Sequence, residues 1–297
     1  MKTVIAIVLG FLIVMTGGHC ASAMTGDFGN EYTFDDDPSR VVNRPVNVQG
    51  LTGLVITNSA YTQRKGSIVA GLAVSAENSN VPDFSLTQGI ATVTAGVTDR
   101  IEIGIRATLD SARLNTNAAR KDGVGDTDIL FKWRLSSQGD TMPAIALGLA
   151  CTLPTGDEGK GFRTVKHEGI RLMLIGTSEK EMSGGYLIGV YFEGQIVFID
   201  KLENSTSSPY VDQYGVFNAG VLVPLFESRR LQAIVEYHQV TRKDVQTLFE
   251  QNSWDVMPGL RYVTPDFNLS LGVQFLRKDQ TDWENTERYV GTISYRF

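Results

Sequence analysis

The feature that most constrains this chain is a hydrophobic period of two, recurring in about twelve segments of roughly ten residues each between Ser67 and Phe297. Successive side chains of a strand face opposite sides of its sheet, so a segment of this kind has one apolar and one polar face. The last segment alternates without a miss, setting Tyr289, Gly291, Ile293, Tyr295 and Phe297 against Arg288, Val290, Thr292, Ser294 and Arg296. Ile101, Ile103, Ile105 and Leu109 likewise oppose Glu102, Gly104, Arg106 and Thr108, and Leu231, Ala233, Val235 and Tyr237 oppose Gln232, Ile234, Glu236 and His238. Pro143 to Leu153 is apolar on both sides, with small Ala144, Ala146, Gly148 and Ala150 on the inner one, where they leave room for bulkier groups across a lumen. No window keeps apolar residues at helical spacing for more than about two turns.

The joints between segments are of two kinds in strict alternation. Short ones fall at Thr98 to Arg100, Ser136 to Thr141, Ser178 to Gly184, Pro224 to Arg229 and Thr264 to Asp266. Long ones fall at Glu77 to Leu86, Asp110 to Val124, Pro154 to Lys166, Lys201 to Tyr210, Asp244 to Gln251 and Asp279 to Thr286. Ten tilted residues cross a bilayer, and short turns on one side with longer loops on the other mark an outer-membrane barrel. The expected fold is therefore an all-β, transmembrane, up-and-down antiparallel β-barrel of about twelve strands, with short periplasmic turns and longer extracellular loops. An even strand count returns both chain ends to the periplasm.

The first residues agree with an exported protein. Lys2, the apolar run Val4 to Met15 and Ala21-Ser22-Ala23 have the layout of a secretory signal cleaved after Ala23. Residues 24–50 carry Asp35-Asp36-Asp37-Pro38 and few apolar side chains, a composition that favours a solvated periplasmic lead-in over a lumen plug. The organisation read from sequence is thus 1–23 signal peptide, 24–50 N-terminal lead-in or plug segment, and 51–297 barrel, with structure starting near Gly50 to Val55. Beyond the leader one cysteine remains, Cys151, read as an inert packed or lipid-facing thiol. The 27 basic residues, 26 once Lys2 leaves with the leader, stand against 33 acidic ones, and this mature charge of −7 argues against nucleic acid as a partner.

Three patches carry a resemblance to a known family: Gly123-Val124-Gly125-Asp126-Thr127-Asp128 with Lys132, Pro143 to Leu147 running on to Leu153-Pro154-Thr155-Gly156-Asp157, and the terminal aromatic strand. Across residues 86–297 the chain resembles the outer-membrane family named for the MetA pathway of phenol degradation. The resemblance implies a transporter-like barrel, with hydrophobic or aromatic solutes proposed for some members, and carries over no catalytic residue. Locally, Gly123, Gly125 and Asp126 also read as a loop closure before a strand, and Pro154-Thr155-Gly156 as a turn after one.

The chemistry expected of the lumen comes from the inward faces. Arg106, Lys132, Arg171, Glu193, Glu236 and His238 fall inward near mid-height, and Arg134, Arg261 and Arg296 inward towards the periplasmic end. In a wet lumen these are candidate selectivity residues, the alternative being that they pair across a narrow one. Inward positions such as Gln232 should then accept a charge. After the leader only His167 and His238 could serve as a catalytic base and no Gly-x-Ser-x-Gly motif is present, so no catalytic residue is assigned. No cofactor and no metal site is expected either. The expected role is passive passage of a small, hydrophobic or aromatic solute through the outer membrane of a Gram-negative-type bacterium. The alternative is a structural or adhesive barrel with a closed lumen and partner-binding loops. The expected partners are outer-membrane lipid, the solute and the barrel assembly machinery, which would read the terminal Tyr295 and Phe297. Removing residues 295–297 should therefore leave little protease-resistant barrel in membrane fractions, and wild-type amounts would refute the assignment of the terminal strand.

Overall fold

The computed structural model describes residues 45–80, 83–113, 120–139, 142–165, 168–182, 187–199, 213–226, 228–243, 250–278 and 286–297. The expected signal peptide, the acidic run at Asp35, and His167 lie outside the described residues. Thirteen strands are formed among them: β1 (Ile68–Asn80), β2 (Asp83–Thr98), β3 (Ile101–Arg113), β4 (Lys121–Val124), β5 (Thr127–Ser136), β6 (Ala144–Leu153), β7 (Gly169–Glu181), β8 (Leu187–Ile199), β9 (Gln213–Pro224), β10 (Leu231–Lys243), β11 (Glu250–Val263), β12 (Phe267–Lys278) and β13 (Thr286–Arg296). Each pairs antiparallel with its sequence neighbour, except that β4 and β5 lie end to end along β3, Leu109 facing Val124 and Arg106 facing Asp128. They form one stave, so the wall has twelve. β13 closes on β1, with Ala70 opposite Tyr295 and Leu72 opposite Ile293. A closed wall leaves no unpaired edge in lipid, where an unbonded backbone group has no water to turn to.

The alternation sorts side chains as the period of two requires. Leu72, Ile105, Leu172, Val235, Leu271 and Tyr289 are exposed on the outside, whereas Thr94, Glu102, Lys132, Gln232, Asn268 and Ser294 are buried on the inside. Cys151, on the outward parity of β6, is nonetheless packed and buried. No helix among the described residues is long and apolar enough to cross a membrane; crossing is by strands.

Two boundaries differ from the sequence reading. Glu77 to Leu86, read as a long loop, is mostly wall: β1 and β2 stay in register up to Asn80 opposite Asp83. β3 similarly continues to Arg113 and is extended by β4. Above the apolar band both faces of a strand meet water, so the period of two vanishes from the sequence while the ladder continues. The second difference concerns Gly50 to Val55, which start structure but not wall. The barrel begins at Ile68, and residues 45–63 are folded inside it.

A charge on the lipid side is opposed by the whole desolvation penalty. Val235→Arg, on the outer face between Val221 and Pro258, should therefore destabilise the inserted barrel by about 2–4 kcal/mol near mid-membrane. Urea unfolding in lipid vesicles measures this, and no shift would place Val235 on the inner face.

Candidate functional site: the occupied lumen

A twelve-stave barrel is wider than one that its own side chains can fill. Among the described residues the space is taken by Pro45 to Gln63, a stretch without a charged residue, nearly all of it buried. Two small antiparallel contacts, Val46 with Thr52 and Gly53 with Asn58, fold it into nested turns. Asn47 staples them: its Nδ2 donates to Ile56 O and to Asn58 Oδ1, both at 2.9 Å, while its Oδ1 accepts from Gln49 N at 3.0 Å. Leu51, Ala60 and Tyr61 pack on Leu130, Ile175, Met173 and the small inner face of β6, Ala144, Ala146 and Ala150. Leu54, Val55 and Ile56 pack on Tyr191, Leu222, Ile234, Met257 and Val290. The room expected from the alanines of β6 is thus filled by the inserted segment as well as by Met173.

Turns inside a barrel bring backbone N–H groups that find no strand partner, and each must be bonded. Three wall carboxylates accept them. Glu236 of β10 receives Val55 N, Ile56 N and Thr57 N at 3.1, 3.1 and 2.6 Å. Consecutive amides converging on one oxyanion form an anion-binding nest, here used in reverse, with the wall supplying the anion. Glu193 of β8 receives Asn58 N at 3.2 Å and Asn58 Nδ2 at 2.6 Å, and Asn218 Nδ2 supports it at 2.8 Å. Glu102 of β3 receives Thr52 N, Thr52 Oγ1 and Gln63 N at 2.9, 2.6 and 2.8 Å.

Wall cations take the carbonyls. Lys132 Nζ donates to Ser59 O at 2.9 Å and Thr52 O at 3.2 Å and pairs with Glu102 at 2.8 Å, both partners of the pair having no solvent exposure. Such a pair is held by its geometry, since breaking it leaves a buried charge. Arg261 Nη1 reaches Gly53 O at 3.1 Å, Arg296 Nη2 reaches Gln63 Oε1 at 3.3 Å, and Arg106 Nε reaches Val48 O at 2.9 Å. Arg171 bonds Gln49 Oε1 at 3.2 Å, and Arg134 bonds the Asp99 carbonyl in the β2–β3 turn at 2.7 Å. His238 pairs through Nδ1 with Asn218 Oδ1. Of the nine candidate lumen residues, at least seven touch the inserted segment directly and His238 bonds the inner wall, while Arg134 is tied to the β2–β3 turn. The expectation of a wet lumen fails at Lys132, Glu193, Glu236 and Arg261, which the segment shields from water. Gln232 is corrected too: fully buried, it accepts from Arg261 Nε at 2.9 Å, so a second cation there would have nowhere to discharge.

Where backbone meets wall, the wall has glycine. A Cβ on Gly104 would stand 2.4 Å from Gly50 O, and one on Gly220 would stand 2.5 Å from Leu54 Cδ1. Gly50 itself has φ +86, a conformation glycine adopts without strain. The two loop patches behind the family resemblance meet each other: Asp126 accepts from Gly156 N at 2.8 Å and from Thr164 N and Oγ1, both at 2.6 Å, and Asp157 N donates to Val124 O at 2.9 Å. Their role visible here is to pin the connection between β6 and β7 onto the stave made by β4 and β5. Tyr295 and Phe297 lie outside, on the short-turn rim, with their rings 5.0 Å apart.

On the long-connection side of the inserted segment lies a cavity of about 310 Å³. Its floor is Val48, Gln49 and Ile56, and its wall carries Arg106, Arg171, Arg288 and His238 interspersed with Val197, Val216, Val240 and Val290. The volume is at the lower end of the range for small-molecule sites.

A closed wall with an apolar outer band and a segment folded into its lumen defines a plugged, outer-membrane-type β-barrel. No family model matches the sequence, and no curated protein matches it significantly. Solved structures share the architecture. An outer-membrane channel from Pseudomonas putida F1 is 12% identical, with a TM-score of 0.59 over 80% of this chain and 98% of that one. The KdgM porin, solved in complex with disordered oligogalacturonate, is 8% identical, with a TM-score of 0.49 over 77% of this chain and 99% of that one. At such identities the likeness is one of fold.

Glu236→Ala should leave three amides of the turn without acceptors and loosen the segment by about 3 kcal/mol or more. Hydrogen exchange at residues 55–57 should then rise steeply while the heat-modifiable mobility of the folded barrel on gels is retained. Unchanged exchange would show that the carboxylate does not hold the turn.

Proposed function

We propose that this protein is an outer-membrane channel for small solutes whose resting state is closed by its own segment 45–63. The observation that carries the reading is the division of the lumen: a solute-sized cavity on the long-connection side, floored by a segment held through discrete polar bonds rather than built into the wall. A solute gathered in the cavity would cross when the floor yields. The resemblance to the MetA-pathway family and the fold shared with a P. putida channel support this reading, and hydrophobic or aromatic solutes are the finer part of the proposal. The candidate selectivity residues act in it mainly as latches, with Arg106, Arg171 and His238 also lining the solute's path.

A closed structural barrel is the second reading, favoured by how completely residues 51–63 are buried. Cutting the latches separates the two. Under the channel reading, wild-type protein in planar bilayers is quiet or rarely open, and Glu193→Ala with Glu236→Ala gives frequent conductance steps and faster swelling of proteoliposomes in small solutes. Silent bilayers for both proteins, with the folded barrel verified by gel mobility, would leave the structural reading.

A further inference from the structure

We infer that the cavity above the inserted segment is a binding site for a small monocarboxylate with an apolar tail. The site would be the capture step of the proposed channel and rests on that reading for its purpose, though not for its chemistry. Among the described residues, and apart from the phenol of Tyr214, every ionisable group lining the cavity is a base: Arg106, Arg171, Arg288 and His238. Their compensation is unequal. Arg288 bonds Glu77 Oε2 through Nε and Nη2 and Gln274 Oε1 through Nη1, so its charge is matched one to one. Arg106 and Arg171 instead share one carboxylate, both reaching the same Asp128 Oδ2 at 3.0 and 3.2 Å, while Asp128 Oδ1 is taken by Thr152 Oγ1 at 2.6 Å. Two guanidinium groups are thus held side by side on one directly bonded carboxylate, with Asp110 the further negative charge acting on Arg106 from beyond the cavity lining.

Donors are left over. A guanidinium has five N–H groups. The bonds of Arg106 to Val48 O and Asp128, and of Arg171 to Gln49 and Asp128, occupy two donors each. About a fifth of each side chain, 22% and 19%, stays accessible. Among the described residues the other inward carboxylates of this region, Asp110 and Asp255, do not line the cavity, and Asp110 is turned to Gln88 and Thr108. Two planar donors that share one bonded carboxylate, with N–H groups to spare, suit a monoanion whose oxygens can each take an N–H, which describes a carboxylate better than a divalent phosphate. Val197, Val216, Val240 and Val290 line the same cavity beside the polar groups, Val197 opposite Arg171 and Val216 opposite Gln195 in the ladders, and give room for a short apolar tail next to the carboxylate.

The test is titration of the full-length protein in detergent with hexanoate, acetate, hexan-1-ol and hexylamine, followed by ligand-observed NMR against empty micelles. Saturable binding of hexanoate is expected, roughly tenfold or more tighter than acetate for the added apolar surface, with no saturable binding of the alcohol or the amine. Arg171→Gln should weaken hexanoate roughly tenfold and Arg171→Lys should recover part of the loss. Arg171 is the position to change because it meets the floor through a side chain, Gln49 Oε1, whereas Arg106 holds floor backbone at Val48 O. Hexan-1-ol bound as well as hexanoate, no saturable hexanoate binding, or an Arg171→Gln protein that folds and binds undiminished would each overturn the site. If that variant does not fold, the ranking of the four ligands on the wild type decides alone. Hexanoate bound by a barrel that stays silent after its latches are cut would remove the channel and keep the site; conductance without hexanoate binding would do the reverse.

Discussion

Everything inside this barrel depends on carboxylates of the wall accepting backbone N–H groups of a segment that forms no ladder of its own. A lumen filled only by apolar side chains would leave those amides orphaned, and each orphan in a dry interior is worth about 1–3 kcal/mol. Glu102, Glu193 and Glu236, carried by three different strands, remove that penalty at three separate turns. The balance is delicate in kind: the carboxylates are themselves desolvated, so wall and segment stabilise each other or not at all. A barrel stripped of its insert would expose three buried acids and a buried lysine at once, which makes the segment part of the core rather than an accessory to it.

That mutual dependence also explains why the lumen divides unevenly. Below, where Lys132 and Gln63 meet at Glu102 and where Arg261 meets Gln232 and Gly53, there is no solvent exposure to speak of. Above, the segment ends in Val48, Gln49 and Ile56, and the wall's cations lose their backbone partners one by one. The same arginines that bond the top of the insert therefore line the cavity over it. One set of side chains faces two tasks, and a molecule seated there is in contact with the groups that fix the floor.

The wall was legible in the sequence because lipid enforces a strict rule on every second residue. Ile103, Ile105 and Leu109 had to be apolar, and Glu102 and Arg106 had to point away from them. Strand ends beyond the lipid were not legible, since at Glu77 or Arg113 neither face is under that rule. The insert escaped for another reason. Composition over residues 24–50 averages an acidic stretch with the start of an uncharged one, and no periodicity marks nested turns. A signal was present all the same: from Pro45 to Gln63 there is no charge, while Arg44, Arg64 and Lys65 bound the stretch on either side. An uncharged run rich in Asn, Thr and Gly, beside strands with inward glutamates, is the pattern of a segment that must be buried and hydrogen-bonded together. The roles of Lys132 and Arg261 were illegible because inwardness says nothing of what occupies the inside.

The join between insert and wall is very short. Gln63 is still buried, Gly66 already bonds the wall through Gly96 O, and Ile68 begins β1, so Arg64 to Ser67 is all that separates the two. Four residues reach at most about 14 Å. A segment on such a leash behaves as a ligand at very high local concentration, and its return needs no encounter in solution. Any open interval of this lumen would accordingly be timed by the insert's own rebinding, as fixed by the length of the leash, and not by how much protein the membrane holds.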